Sequence, residues 1–134
     1  MMNKRILLIE DEEFIRDLYK DQLDQSGFTT DAFGTGKEGL EAVTKNSYDL
    51  IILDIMLPDT NGLEVLKQIK ANESTKQIPT VLLTNLDRDV IVKKGFELGA
   101  QGYMVKAAYS DPALVVQEVK NYLGIKETPP PTPA

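Results

Sequence analysis

Four short apolar runs and one run of strand formers punctuate the chain, and most of them end on a polar side chain. Ile6-Leu7-Leu8-Ile9 runs into Glu10-Asp11-Glu12-Glu13, and Leu50-Ile51-Ile52-Leu53 runs into Asp54, with Pro58 and Gly62 soon after. Val81-Leu82-Leu83 leads to Thr84, Gly102-Tyr103-Met104-Val105 leads to Lys106, and Thr29 to Phe33 is rich in strand formers. Continuous apolar runs of this length, bounded by turn signals, suit strands buried on both faces, the kind found inside parallel sheets.

Between the runs the apolar positions change to helical spacing. Phe14, Ile15, Leu18, Tyr19 and Leu23 give a first helix closed by Ser26-Gly27, and Leu40 and Val43 a second that runs to about Asn46. Thr35 and Glu38 fit a capping box at the start of that second helix. Gly62 opens a third helix with Leu63, Leu66 and Ile69, and Asn85 to Leu98 reads as a fourth, weakened by Gly95 and closed by Gly99. Ser110-Asp111-Pro112 starts a fifth, which carries Leu114, Val115, Val119, Tyr122 and Leu123 and ends at Gly124. Strand and helix alternating five times, with short connections, predict an α/β fold: a doubly wound parallel sheet with helices on both faces. Residues 1–124 make one domain. Residues 125–134, with Pro129-Pro130-Pro131 and Pro133, read as a Pro-rich disordered tail.

Composition narrows the chemistry. The chain has 134 residues, 42% of them hydrophobic and 27% charged, an ordinary globular mix for a single domain. It contains no Cys and no His, which removes disulfides, thiolate metal sites and the commonest general base. Any site must work with carboxylates, Lys, hydroxyls and a hard cation. The formal net charge of −6 argues against a nucleic-acid partner. The chain shows no membrane-length apolar run and no signal peptide, so a soluble cytoplasmic domain is expected.

The strand ends then form a constellation. The carboxyl ends of parallel strands share one edge of the sheet, which is where open α/β sheets bind ligands. Glu10, Asp11, Asp54, Thr84 and Lys106 therefore meet in one cleft. Three carboxylates this close repel each other, and Mg²⁺ resolves the conflict because it accepts one or two carboxylates and keeps several waters. A carboxylate beside Mg²⁺ can act as a nucleophile toward phosphorus, with Mg²⁺, Lys106 and the Thr84 hydroxyl stabilising the phosphoryl oxygens.

With these residues in place, the chain resembles the receiver domains of two-component response regulators over about Lys4 to Leu123. The resemblance implies a flavodoxin-like sheet of order 2-1-3-4-5 with five helices. It assigns Asp54 as phosphoacceptor. Glu10, Asp11, Asp54 and the backbone carbonyl of Met56 become the site for Mg²⁺ or Mn²⁺. Thr84 and Tyr103 become the switch pair, Lys106 the phosphoryl contact, and Pro58 and Gly62 the residues shaping the loop. It implies a histidine kinase or phosphotransfer protein as donor. It also implies a downstream protein bound through the helix 4–strand 5–helix 5 face, and a monomer or a phosphorylation-dependent dimer. The domain would catalyse only its own phosphorylation and slow dephosphorylation. A stand-alone receiver is expected, since no output module follows Gly124. One position departs: the family often has Pro after the Lys, joined by a cis peptide, and here Ala107 follows Lys106. A retained cis bond is expected, at a cost of ~3 kcal/mol.

Three other readings fit less well. A haloacid-dehalogenase-type phosphatase needs an acid where Met56 stands. A flavodoxin-like flavin carrier needs a phosphate-binding loop where Glu10 to Glu13 would repel one. A degenerate receiver acting as an unphosphorylated scaffold has no need of the intact acids, Thr84 and Lys106.

Overall fold

The computed structural model describes residues 3–85, 89–106 and 113–125. The Lys106-Ala107 peptide, the start of the fifth helix at Ser110-Asp111-Pro112 and the Pro-rich tail lie outside the described residues.

The chain runs β1 (Arg5–Ile9), α1 (Glu13–Gln25), β2 (Thr29–Phe33), α2 (Gly36–Lys45), β3 (Leu50–Asp54), α3 (Gly62–Ala71), β4 (Thr80–Thr84), α4 (Asp89–Glu97), β5 (Gly102–Val105) and α5 (Ala113–Tyr122). The five strands form one sheet in the order β2-β1-β3-β4-β5, and every neighbouring pair is parallel. The expected topology is therefore present. Among the described residues no helix is long and apolar enough to cross a membrane.

Strand side chains alternate between two cores. Ile6, Leu8, Leu50, Ile52, Val81 and Leu83 face one side of the sheet, where Tyr19 and Leu23 of α1 and Val115 and Val119 of α5 pack on them. Leu7, Ile9, Ile51, Leu53 and Leu82 face the other, against Ala42 and Val43 of α2 and Val65, Leu66 and Ile69 of α3. All of β3 is buried, because it pairs on both edges and is covered on both faces. That is why its sequence is apolar throughout rather than alternating.

Helix ends follow the local chemistry. The Thr35 hydroxyl accepts from Glu38 N–H at 3.1 Å and donates to the Glu38 carboxylate at 3.0 Å, so the capping pair forms through side chains. Gly27, Gly99 and Gly124 close their helices at φ of 98°, 105° and 69°, which only glycine adopts freely.

Some positions differ from the pattern. Phe14 is 78% exposed although it fits the helical spacing of α1. Ile15, Tyr19 and Leu23 follow one i, i+4 seam onto the sheet, and Phe14 stands one helical step off that seam, in the first turn. Leu114 is also exposed, beside the buried Val115. Asn85 lies outside α4 and Lys106 just past β5. Gly95 weakens α4 intrinsically, but a Cβ there would sit 2.3 Å from Leu82 Cδ1, so the glycine lets α4 lie close on β4.

A polar network ties the first two strands to the entry of β3. Arg5 Nη2 and the Tyr48 hydroxyl both donate to Asp31 Oδ2 at 2.7 Å, and the Arg5 guanidinium lies 5.2 Å from the Tyr48 ring centre. Burial pushes the Asp31 carboxyl up, but the Tyr48 and Arg5 hydrogen bonds outweigh it and hold the group below its ordinary 3.8. A carboxyl lowered in the folded state adds stability above its unfolded pKa and loses it as pH falls through the folded value. Asp31→Asn should cost about 1 kcal/mol near neutral pH, since the network is partly solvent-screened. Urea unfolding at a series of pH values should show wild type and variant converging below the ordinary carboxylate pKa.

Candidate functional site

Strand order places the site. The chain leaves β1 for β2 on one side and continues from β3 outward on the other, so the connections after β1 and β3 diverge and leave a crevice. Glu10 follows β1 and Asp54 ends β3, so both open onto this crevice. Thr84 ends β4, and Lys106 reaches in from just past β5. Glu10, Asp54, Thr84 and Lys106 make up four of the seven buried polar residues among those described. The other three are threonines, Thr30, Thr75 and Thr80, so the buried charge is concentrated at one end of the sheet.

Lys106 is the hub. Its Nζ lies 2.8 Å from Asp54 Oδ2, 2.6 Å from Glu10 Oε1 and 3.6 Å from Glu12 Oε1. The contact with Asp54 is an aligned hydrogen bond. Asp54 Oδ1 accepts from Met56 N–H at 3.1 Å, and Glu10 Oε2 accepts from Glu12 N–H at 3.2 Å. Glu10 Oε1 is buried and has no aligned hydrogen-bond donor among the described residues, despite its short contact with Nζ.

Electrostatics follow from this crowding. Burial pushes the Glu10 carboxyl up to about 8, and the neighbouring Asp54 adds to the effect while Lys106 only partly offsets it. Burial also raises Asp54, against the pull of Glu10 and Lys106. Slight burial works against Asp11, but hydrogen bonding with the Asp54 and Glu10 carboxyls brings it below its ordinary value. For Lys106, burial favours the neutral amine, yet Asp54 and Glu10 more than reverse this and raise its pKa. One ammonium thus faces more negative charge than it neutralises, and a proton or a cation has to make up the difference.

The donor set fits a hard divalent cation. Carboxylate oxygens of Glu10, Asp11 and Glu12 lie within 4.8 Å of one another, and Glu10 supplies the orphaned Oε1. Glu12, which the sequence pattern marks only as an acid at a helix start, stands at the N-cap of α1 and belongs to this cluster.

The loop after Asp54 folds back on itself. Met56 pairs with Asn61 in an isolated antiparallel bridge, and Gly62 N–H donates to Ile55 O at 2.6 Å. A Cβ on Gly62 would lie 2.2 Å from Asp54 O and 2.6 Å from Ile55 Cα, so the turn closes only over glycine. The Met56 side chain is 71% exposed, and Pro58 lies in the exposed part of the loop. Asn61 caps α3 by accepting from Leu63 N–H at 2.8 Å. Asp59 makes a contact that nothing local signals. Its carboxylate accepts from Gly36 N–H at 2.9 Å and Lys37 N–H at 3.0 Å, which ties the loop to the N-terminus of α2 and holds the carboxyl low.

Tyr103 does not touch the acids. It is half-buried in the core between the sheet and α3 and α4, and packs edge-to-face on Phe96 with ring centres 6.4 Å apart. Leu82 of β4 is its register partner, two residues before Thr84.

Comparison with known proteins gives a consistent result. The chain is 39% identical over 103 residues to the transcriptional regulatory protein PcoR of Escherichia coli, an alignment covering 77% of this chain and 45% of PcoR. It spans about half the length of the curated relatives it matches. A crystal structure of a putative response regulator from Chloroflexus aurantiacus superimposes with a TM-score of 0.83 at 28% identity, covering 92% of this chain and 99% of that one. The structure titled BeF3 activated DrrB receiver domain superimposes with a TM-score of 0.79 at 32% identity, over 92% of this chain and 99% of its own. The family model of the response regulator receiver domain matches residues 6–120, and with five parallel strands in the receiver order the chain belongs to that family, a signalling domain of two-component systems.

Proposed function

We propose that Asp54 accepts a phosphoryl group from a histidine kinase or phosphotransfer protein, and that the resulting charge switches a protein-binding surface. The observation that carries this reading is the buried Asp54 carboxylate at the crevice, hydrogen-bonded to Lys106 and flanked by Glu10 and the acidic cluster. A carboxylate oxygen of Asp54 would form the new P–O bond as the donor's P–N bond breaks, with the electron pair leaving on the histidine nitrogen. Lys106 would stay within reach of a phosphoryl oxygen, and the Thr84 hydroxyl, on the neighbouring strand, would donate to another. Glu10, Asp11, Asp54 and the Met56 carbonyl would hold Mg²⁺, which when bound supplies charge neutralisation for the carboxylates and the transferring phosphoryl oxygens. Glu12 would serve as an additional outer carboxylate.

The switch would run toward β5. If Thr84 moves toward the phosphoryl group, space opens along β4 near Tyr103, whose ring would turn inward and away from Phe96. That would alter the face made by α4, β5 and α5, which exposes Val90, Phe96 and Leu114. Such a change biases an equilibrium between two conformations rather than building a new fold. A degenerate scaffold would leave the buried Lys106, Asp54 and Glu10 without a use that offsets the cost of keeping them dry.

Phosphorylation is testable with acetyl phosphate and Mg²⁺, read by mass spectrometry, and with beryllofluoride, read by amide NMR shifts. Wild type should gain one phosphoryl group and show shifts spreading from Asp54 to β5, and Asp54→Asn should do neither. Equal responses from both proteins would remove Asp54 from the role.

The charge balance yields a second prediction. Lys106→Met strands two buried carboxylates and should cost about 3 kcal/mol in urea unfolding without divalent cations, as loss of one partner of a buried pair does. Saturating Mg²⁺ should recover part of that loss, because a ligand that binds only the folded state stabilises it. Asp54→Asn relieves repulsion while Glu10 still pairs with Lys106, so its urea midpoint should not fall below wild type.

A further inference from the structure

Arg16 has a contact pattern that the phosphotransfer reading leaves unused. It sits in the second turn of α1 and turns its side chain back toward the acidic loop. Its Nη1 donates to Glu10 O at 2.9 Å and to Asp11 O at 3.3 Å. Its own backbone N–H donates to Glu12 O at 2.8 Å. One residue therefore holds the carbonyls of all three residues in the carboxylate cluster.

The end of the sheet explains why such a holder is needed. The β1–β2 pairing stops at Ile9 with Phe33, and Glu10 N–H makes a last bond to Phe33 O at 2.9 Å. Beyond Phe33 the chain turns away through Gly34 and Thr35 into α2, so no strand carries the ladder on to the Glu10 and Asp11 carbonyls. The Arg16 guanidinium takes that place. Gly34 makes room for it, since a Cβ there would lie 2.8 Å from Nη1. Three carboxylates brought within 4.8 Å repel one another, and a loop fixed only at its ends would relax by swinging them apart.

Resting on the reading of Glu10 and Asp11 as cation ligands, we infer that Arg16 is a positioning residue for the metal site: its guanidinium fixes the Glu10-Asp11 backbone, next to a Glu12 already held by the helix, so that the carboxylates stay converged. Groups that orient ligands in this way set metal affinity without touching the metal. The inference has a sign that charge alone does not share. A positive side chain near a cation site opposes the cation, so by charge alone Arg16→Ala would tighten Mg²⁺ binding. Positioning predicts that binding weakens.

The test is calorimetric titration of the purified protein with Mg²⁺, alongside thermal unfolding in chelator. Arg16→Ala should bind Mg²⁺ about tenfold more weakly than wild type. Arg16→Lys keeps the charge but loses the planar fork, and should bind more weakly than wild type too. Gly34→Ala leaves Arg16 in place but pushes its guanidinium aside, and should shift the affinity in the same direction. It carries the test if Arg16→Ala fails to fold. At saturating Mg²⁺ the rate of phosphorylation by acetyl phosphate should return to near the wild-type value in all three. Affinity equal to or tighter than wild type in folded Arg16→Ala, or wild-type affinity in Arg16→Lys, would overturn the inference. So would a rate that stays low at saturation, because it would place Arg16 in the transfer itself. If wild type does not bind Mg²⁺, the reading of the cation site falls first and this inference goes with it.

Discussion

Two carboxylates, Asp54 and Glu10, sit almost without solvent at the end of an apolar sheet, and their mutual repulsion is what the surrounding structure has to balance. Lys106 balances part of it by direct contact with both. The Met56 and Glu12 amides balance more, each donating to one carboxylate oxygen. The remainder is left open: burial first, and the neighbouring Asp54 after it, push the Glu10 carboxyl up to about 8. A fully compensated site would be inert. This one carries a deficit of positive charge that a proton or a cation has to make up.

The sheet makes that arrangement possible at tolerable cost. The central strands β3 and β4 are buried along their whole length and β1 all but its first residue, so the middle of the sheet is dry up to the strand ends. The charged groups begin where the ladders stop. Asp54 is the last residue of β3 and still pairs in register with Leu83, so its backbone is as fixed as the core. Fixing Asp54 on a strand while Glu10, Asp11, Glu12 and Lys106 stand just beyond strand ends separates precision from adaptability.

Much of this was legible in the sequence because it is local. An apolar run that ends on a polar side chain identifies both the strand and the group it presents, and Glu10, Asp54, Thr84 and Lys106 all announce themselves in that way. The capping pair at Thr35 and Glu38 and the closing glycines at 27, 99 and 124 are equally local. What the sequence hid depends on distant partners. Asp59 looks like a turn residue, and its bonds go to Gly36 and Lys37, more than twenty residues away. Arg16 looks like a solvated helix residue, and its role appears only when Gly34 comes alongside. Phe14 shows the opposite failure: it has the right spacing for burial, but stands off the seam that meets the sheet. Glu12 was masked by its position, since an acid at a helix start already has a sufficient local reason.

The Asp59 tie also makes the crevice mechanically lopsided. On the α2 side, two charge-assisted hydrogen bonds and the tight seat of Gly62 against Asp54 rivet the loop after β3 to its neighbour. On the α4 side, Tyr103 is held by packing: it is half-buried against the core and meets the nearly half-exposed Phe96 edge-on. A perturbation applied at Asp54 meets hydrogen bonds on one side and side-chain packing on the other. Hydrogen bonds to backbone amides fix direction as well as distance, whereas a ring edge against a ring tolerates sliding, so the two walls of the crevice resist displacement differently.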